Sequence, residues 1–261
     1  MMAGEVVAGT VFGSMALLAD GWHMGTHAAA LGVTVFAYAY ARRHAADPDF
    51  TFGTGKVGAL GGFASAVGLG VVALLVFVES AVRLASPVGI RFGEAMTVAV
   101  LGLAVNLGCA ALLHGHDDDE HHHDHNLRGA YLHVIADAMT SVLAVAALAG
   151  GMLLGWAWLD PLTGVAGSVV IAKWSLGLLR DTAAVLLDAE VPQDRRDAIR
   201  SALESEPGTR VTDLHLWRVG PRHFAAEVVV SAAGDRGADD YRARLAAFPD
   251  VVHSTIEVRR G

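Results

Sequence analysis

The chain has 261 residues, 53% of them hydrophobic and only 18% charged, which is enough length for two domains and too much apolar material for an ordinary soluble pair. A net charge of −8, with few and unclustered basic residues, excludes a nucleic-acid-binding protein. The single cysteine, Cys109, excludes an internal disulfide and any multi-cysteine metal site.

A helix crossing a bilayer needs roughly 20 mostly apolar residues. Residues 1–11 are apolar apart from Glu5, but a helix of that length reaches only about 16 Å against a hydrocarbon core of about 30 Å. They have no basic n-region and no small-residue cleavage site, as a signal peptide would. We expect them to be the end of a truncated first span. Five complete spans follow, at residues 14–41, 57–78, 95–113, 129–157 and 161–179. The second of these carries no charge at all, whereas the first, fourth and fifth contain ionisable groups. Arg42, Arg43 and Lys56 flank one connection, and Arg128 and Arg180 lie beside two others on the same side. This excess of positive charge predicts a cytoplasmic location for that side, with Trp156 and Trp158 in the opposite interface.

Residues 1–190 therefore read as a transmembrane domain and 191–261 as a small soluble domain on the cytoplasmic side of a bacterial inner membrane. In the soluble part the pattern predicts a helix at 194–206, strands at 211–219 and 224–231 joined at Gly220-Pro221, a helix at 238–248 and a strand at 251–258. That order fits an α+β sandwich with its helices on one face of the sheet.

The chemistry lies in the ionisable residues at membrane depth. Asp20, His23 and His27 are spaced by three and four residues and so share one helix face. His133 and Asp137 repeat the i, i+4 spacing in another span. Each such group costs roughly 3 kcal/mol to insert. Two facing pairs would present four N and O ligands in a dry cavity, a set suited to Zn²⁺ and Co²⁺ and unsuited to Ca²⁺ or Mg²⁺. Asp20 is expected behind the ligands, as an acceptor that orients a histidine. Between two spans, residues 114–126 hold His114, His116, His121, His122, His123 and His125 with five carboxylates, a composition that builds no core and suits low-affinity metal capture. In the soluble domain His215 and Glu257 are candidates for a further metal site.

With these residues in hand, the chain resembles the cation diffusion facilitator family over nearly its whole length. The resemblance rests on Gly13-Ser-Met-Ala-Leu-Leu-Ala-Asp20, His23-Met-Gly-Thr-His27, Phe50-Thr-Phe-Gly-Thr-Gly-Lys56, Glu79-Ser-Ala-Val-Arg-Leu-Ala-Ser-Pro87 and Asn106-Leu107. It continues through His133-Val-Ile-Ala-Asp137, Asp160-Pro161, Leu187-Asp188 and Asp213-Leu-His-Leu-Trp217. It implies proton-coupled efflux of divalent metal (Co²⁺, Zn²⁺, Ni²⁺ or Cd²⁺) by a homodimer in the lipid bilayer. It also implies six spans, a ferredoxin-like cytoplasmic domain and a transport site at His23, His27, His133 and Asp137. Zinc-type members have Asp at the position of His27, so the resemblance leans toward the cobalt and nickel branch. The loop at 47–54 lacks the histidines of a further site found in some members. Two rival readings are a membrane metal sensor without transport and a membrane metallohydrolase. The hydrolase is disfavoured because neither histidine pair carries the glutamate of a His-Glu-x-x-His helix. A transporter with no prosthetic group, and not an enzyme, is the expectation.

Overall fold

The computed structural model describes the backbone of residues 1–114, 125–189, 191–220 and 222–260, and their side chains except at 110 and 113–137. Eleven elements follow one another: α1 (Met2–Phe12), α2 (Met15–Arg43), α3 (Val57–Ala85), α4 (Phe92–His114), α5 (His125–Leu154), α6 (Leu159–Leu186), α7 (Gln193–Leu203), β1 (Thr209–Gly220), β2 (His223–Ala232), α8 (Ala238–Leu245) and β3 (Val251–Arg260). Among the described residues, three helices are long and apolar enough to cross a membrane: Val57–Ala85, Phe92–Cys109 and Leu159–Leu186. They turn large apolar side chains outward, among them Leu74, Leu75, Leu101 and Val169. In water such a surface would be an aggregation liability, and against lipid tails it carries no cost. α2 has the length of a span, but its polar face makes it less apolar than these three.

The chain forms two compact units, Met1–Leu31 with Ser65–Leu176 and Gly32–Ala64 with Gly177–Gly261. In the first, Gly13 adopts the left-handed conformation that ends α1 (φ 77°), and α2 starts two residues later. α1 then folds back along α2. Gly9 lies against Leu18, and Gly21 against Glu5 and Val6, so tightly that a Cβ at either glycine would sit less than 3 Å from a neighbour. Small residues allow this approach, which larger side chains would prevent. Ala8, Leu17, Ala95, Ala99 and Leu148 bring α1, α2, α4 and α5 into one core.

The N-terminus of α2 is held by a residue 144 to 146 positions away in sequence. Asp160, at the start of α6 and fully buried, accepts hydrogen bonds from Ser14 Oγ (2.5 Å) and from the backbone N–H groups of Met15 (2.7 Å) and Ala16 (3.2 Å). Ser14 Oγ in turn accepts from the N–H of Leu17 at 3.1 Å. A carboxylate at this end meets unsatisfied N–H groups and the positive end of the helix dipole. Two arginines fix the preceding turn. Arg83 donates to the carbonyl of Gly13 (2.8 Å) and pairs with Glu79, while Arg91 donates to the carbonyl of Val11 (2.7 Å) with its guanidinium over the Phe12 ring.

In the second unit the sheet has the order β1-β2-β3, with β2 antiparallel to β1 and parallel to β3. Ala226, Val228, Val230 and Ala232 alternate along β2 and pack, with Val211 and Leu216 of β1, against Ile199 and Leu203 of α7 and Tyr241 and Leu245 of α8. Val211 and Leu216 have opposite strand parity. A bulge between Val211 and Asp213 lets both face the core. On the opposite face the rung Trp217–Ala225–His253 carries a small residue at its centre. The Phe52 ring meets Trp217 at 6.0 Å and His253 at 5.6 Å, both edge-on, and Ala225 is fully buried. Gly55 abuts the backbone of Val219 and Gly220. Lys56 pairs at 2.6 Å with Asp188, which adopts φ 59° just beyond α6.

Replacing Asp160 with Ala leaves several buried donors at the head of α2 unsatisfied. The expected loss is roughly 3 kcal/mol, measured as reduced thermal and denaturant stability of the purified protein in detergent. Asp160→Asn, which keeps an acceptor but no charge, should fall between the two.

Candidate functional site

The polar face predicted on α2 is buried at Asp20 and His23 and half-buried at His27; Asp20, His23 and the neighbouring Thr26 are each under a tenth exposed, in a helix that is elsewhere largely apolar. The i, i+4 spacing brings the imidazoles of His23 and His27 together edge to face, with ring centroids 4.9 Å apart. Trp174 of α6 closes one side, its ring 5.1 Å from that of His23 and 6.0 Å from that of His27. The two imidazoles thus sit against an aromatic wall.

Asp20 is engaged by α5. Its two carboxylate oxygens accept hydrogen bonds from Thr140 Oγ1 (2.8 Å) and Ser141 Oγ (2.7 Å). Asn106 of α4 donates to Ser141 Oγ at 3.0 Å, which extends the network to a third helix. The role expected for Asp20 is to orient a histidine; these bonds instead join α2 to α5. One turn nearer the N-terminus of α2, Ala16 packs with Ala144 and Ala147 of α5. The two helices are therefore closely apposed along this face. Trp174, Thr140 and Ser141 carry no i, i+4 signature, so periodicity had no means of finding them. Asn106 was legible only through the family resemblance.

The side chains of His133 and Asp137 lie outside the described residues, as do those of His114 and His125. His116, His121, His122 and His123 lie outside them altogether. Among the described residues no group of three or more His, Cys, Asp or Glu comes together to hold a metal ion. His215 and Glu257 are not brought together. His215 stands opposite Glu227 on β1 and contacts Asp213 at 3.1 Å, whereas Glu257 lies beyond the intervening strand, opposite Val229. Arg259 donates to Glu257 at 2.7 Å, and this bond holds the exposed carboxyl below the usual glutamate range.

The sequence profile described as the cation efflux transmembrane domain matches residues 1–187. The chain belongs to this family, the cation diffusion facilitators. It is 32% identical over 229 residues to the zinc transporter ZitB of Yersinia pestis, covering 85% of this chain and 71% of that protein. It is 29% identical over 216 residues to a cadmium, cobalt and zinc/H⁺-K⁺ antiporter of Bacillus subtilis, covering 82% of this chain and 68% of that protein. It is 33% identical over 264 residues to the metal cation efflux system protein CzcD of Cupriavidus metallidurans, covering 97% of this chain and 80% of that protein. The family membership makes this a membrane transporter.

Ser141 bridges Asp20 and Asn106, so Ser141→Ala strands a buried acceptor and a buried donor together. The expected cost is about 1–3 kcal/mol of stability, read by denaturation in detergent, with Ser141→Thr restoring most of it through its hydroxyl.

Proposed function

We propose that this chain exports divalent transition-metal cations from the cytoplasm in exchange for protons, carrying the ion on His23, His27, His133 and Asp137. The observation that carries the reading is the His23–His27 pair, His23 buried and His27 half-buried, whose rings are 4.9 Å apart on the face of α2 that also presents Asp20 to α5. Thr140 and Ser141 bind Asp20 from α5. Asp137 precedes them by three and four residues, and His133 precedes Asp137 by four, so helical periodicity assigns all four to one side of α5. Continued along both helices, that register supplies the second ligand pair. Three imidazoles and one carboxylate form a four-coordinate set that favours Zn²⁺, Co²⁺, Ni²⁺ and Cd²⁺ over the hard oxygen-seeking cations. Zinc, cadmium and cobalt are the metals named for the relatives.

Exchange follows from the ligands themselves. An imidazole binds metal through the lone pair that a proton would occupy, so protons and metal compete for the same nitrogens. When the site faces the outside, protons displace the ion. When it faces the cytoplasm, protons leave and metal enters, as alternating access requires. Metal-driven proton flux in proteoliposomes tests this reading, and metal binding without flux would instead indicate a sensor.

The same reading takes α2–α6 as five complete spans in the bacterial inner membrane. It makes the segment from α7 to β3 a cytoplasmic ferredoxin-like domain through which two chains dimerise. The histidines at 114–125 would collect metal for the pore, and no prosthetic group takes part. Residues 1–190 and 191–261 are the two functional domains in this account.

His133→Ala and Asp137→Ala should each abolish metal transport while the protein still inserts in the membrane, as seen by flux assay and membrane fractionation. His27→Asp exchanges a nitrogen donor for a harder oxygen donor. It should shift competition in a transport assay toward Zn²⁺ over Co²⁺ and Ni²⁺, and unchanged ratios would remove His27 from the ligand set.

A further inference from the structure

In the first unit Asp160 and Asp20 each accept hydrogen bonds from buried donors. Glu5 of α1 is different. Its side chain is fully buried, and neither carboxyl oxygen has a hydrogen-bond partner among the described residues. It is enclosed by glycines. Gly21 of α2 lies beside its Cβ, and Gly102 of α4 lies so close to Oε1 that any side chain there would collide with it. Among the described residues the charged groups that act on it are Asp20 on α2 and the amino group of Met1, just before its own helix. From α5 the nearest polar groups on this network are Thr140 and Ser141, both committed to Asp20; the side chains of His133 and Asp137 lie outside the described residues.

An ionised carboxylate without donors is costly in a dry interior, and a second carboxylate nearby adds to that cost. A neutral carboxylic acid carries neither penalty. The position therefore accommodates Glu5 when it holds a proton. It packs against Gly21, the residue that follows Asp20, and Asp20 leads one turn on to His23. We propose that Glu5 is a proton-carrying group of the exchange cycle, separate from the metal ligands. Its O–H bond forms with a proton from the outer side and breaks when the site opens to the cytoplasm. One positive charge then returns for the two that leave on the metal, with no change in oxidation state. This proposal rests on the proton-exchange reading given above and adds a carrier that does not compete with metal for a lone pair.

The test compares the 261-residue chain with its Glu5→Gln variant in proteoliposomes, using Zn²⁺ as cargo and recording Zn²⁺ and proton fluxes together. Glutamine keeps the shape and can carry no proton. The variant should bind Zn²⁺ in detergent as wild type does, but move about one proton fewer per ion, with a flattened pH dependence of transport. Wild-type proton-to-metal ratio and pH profile in the variant would overturn the proposal. Zn²⁺ flux without proton flux in the wild type would defeat the exchange reading itself, and this proposal with it. A second measurement covers a variant that fails to insert. Wild-type protein labelled with ¹³C at its glutamate carboxyls should show a protonated glutamyl carbonyl band in the infrared at neutral pH. A spectrum containing only ionised glutamates would overturn the assignment.

Discussion

A helix carrying two histidines and an aspartate within the transmembrane domain of this family has little intrinsic reason to stay in one place, since lipid gives helices no hydrophobic drive toward their neighbours. The contact that fixes it is the buried Asp160 carboxylate on the first N–H groups of α2. Those donors have no partner within the helix, and in hydrocarbon an unmet one costs several kcal/mol. Meeting them from α6 ties the start of α2 to the helix that also brings Trp174 against His23 and His27. The same carboxylate binds Ser14, and the turn before it is held by Arg83 and Arg91.

Further along α2 the anchoring changes from charge to size and hydroxyl bonding. Glycines at 9 and 21 let α1 lie close against α2, and alanines at 16, 144 and 147 do the same for α5. Close approach brings the hydroxyls of Thr140 and Ser141 within reach of Asp20, and Asn106 completes the chain of donors. Among the described residues the polar network is well filled around Asp20 and bare around Glu5, one helix away.

The second unit shows how a short connection becomes structural. Phe52 lies over a sheet rung whose centre is Ala225, and a larger residue there would displace the ring. Gly55 passes directly against the backbone at Val219 and Gly220, and Lys56 reaches Asp188. The segment from Phe50 to Lys56, prominent in the resemblance, is thus explained by packing on the sheet and by an ion pair.

What the sequence determined by itself was everything encoded by period. Long apolar runs placed the helices, alternation placed the strands, and the i, i+4 spacing put His23 and His27 on one face, because these patterns follow from backbone geometry alone. Element ends were less legible: α7 and α8 each stop three residues before the expected position, and the bulge in β1 breaks an alternation expected to be continuous. Only the tertiary structure could decide which distant groups meet. The Asp160 cap, the Trp174 wall, the Ser141 bridge and the enclosure of Glu5 between two glycines join residues with no fixed spacing. Nor could alternation set the partners of His215 and Glu257, since their separation depends on a strand order that pairs each with β2 rather than with the other. Periodicity reports which face of an element a side chain takes, and packing alone reports what stands opposite that face.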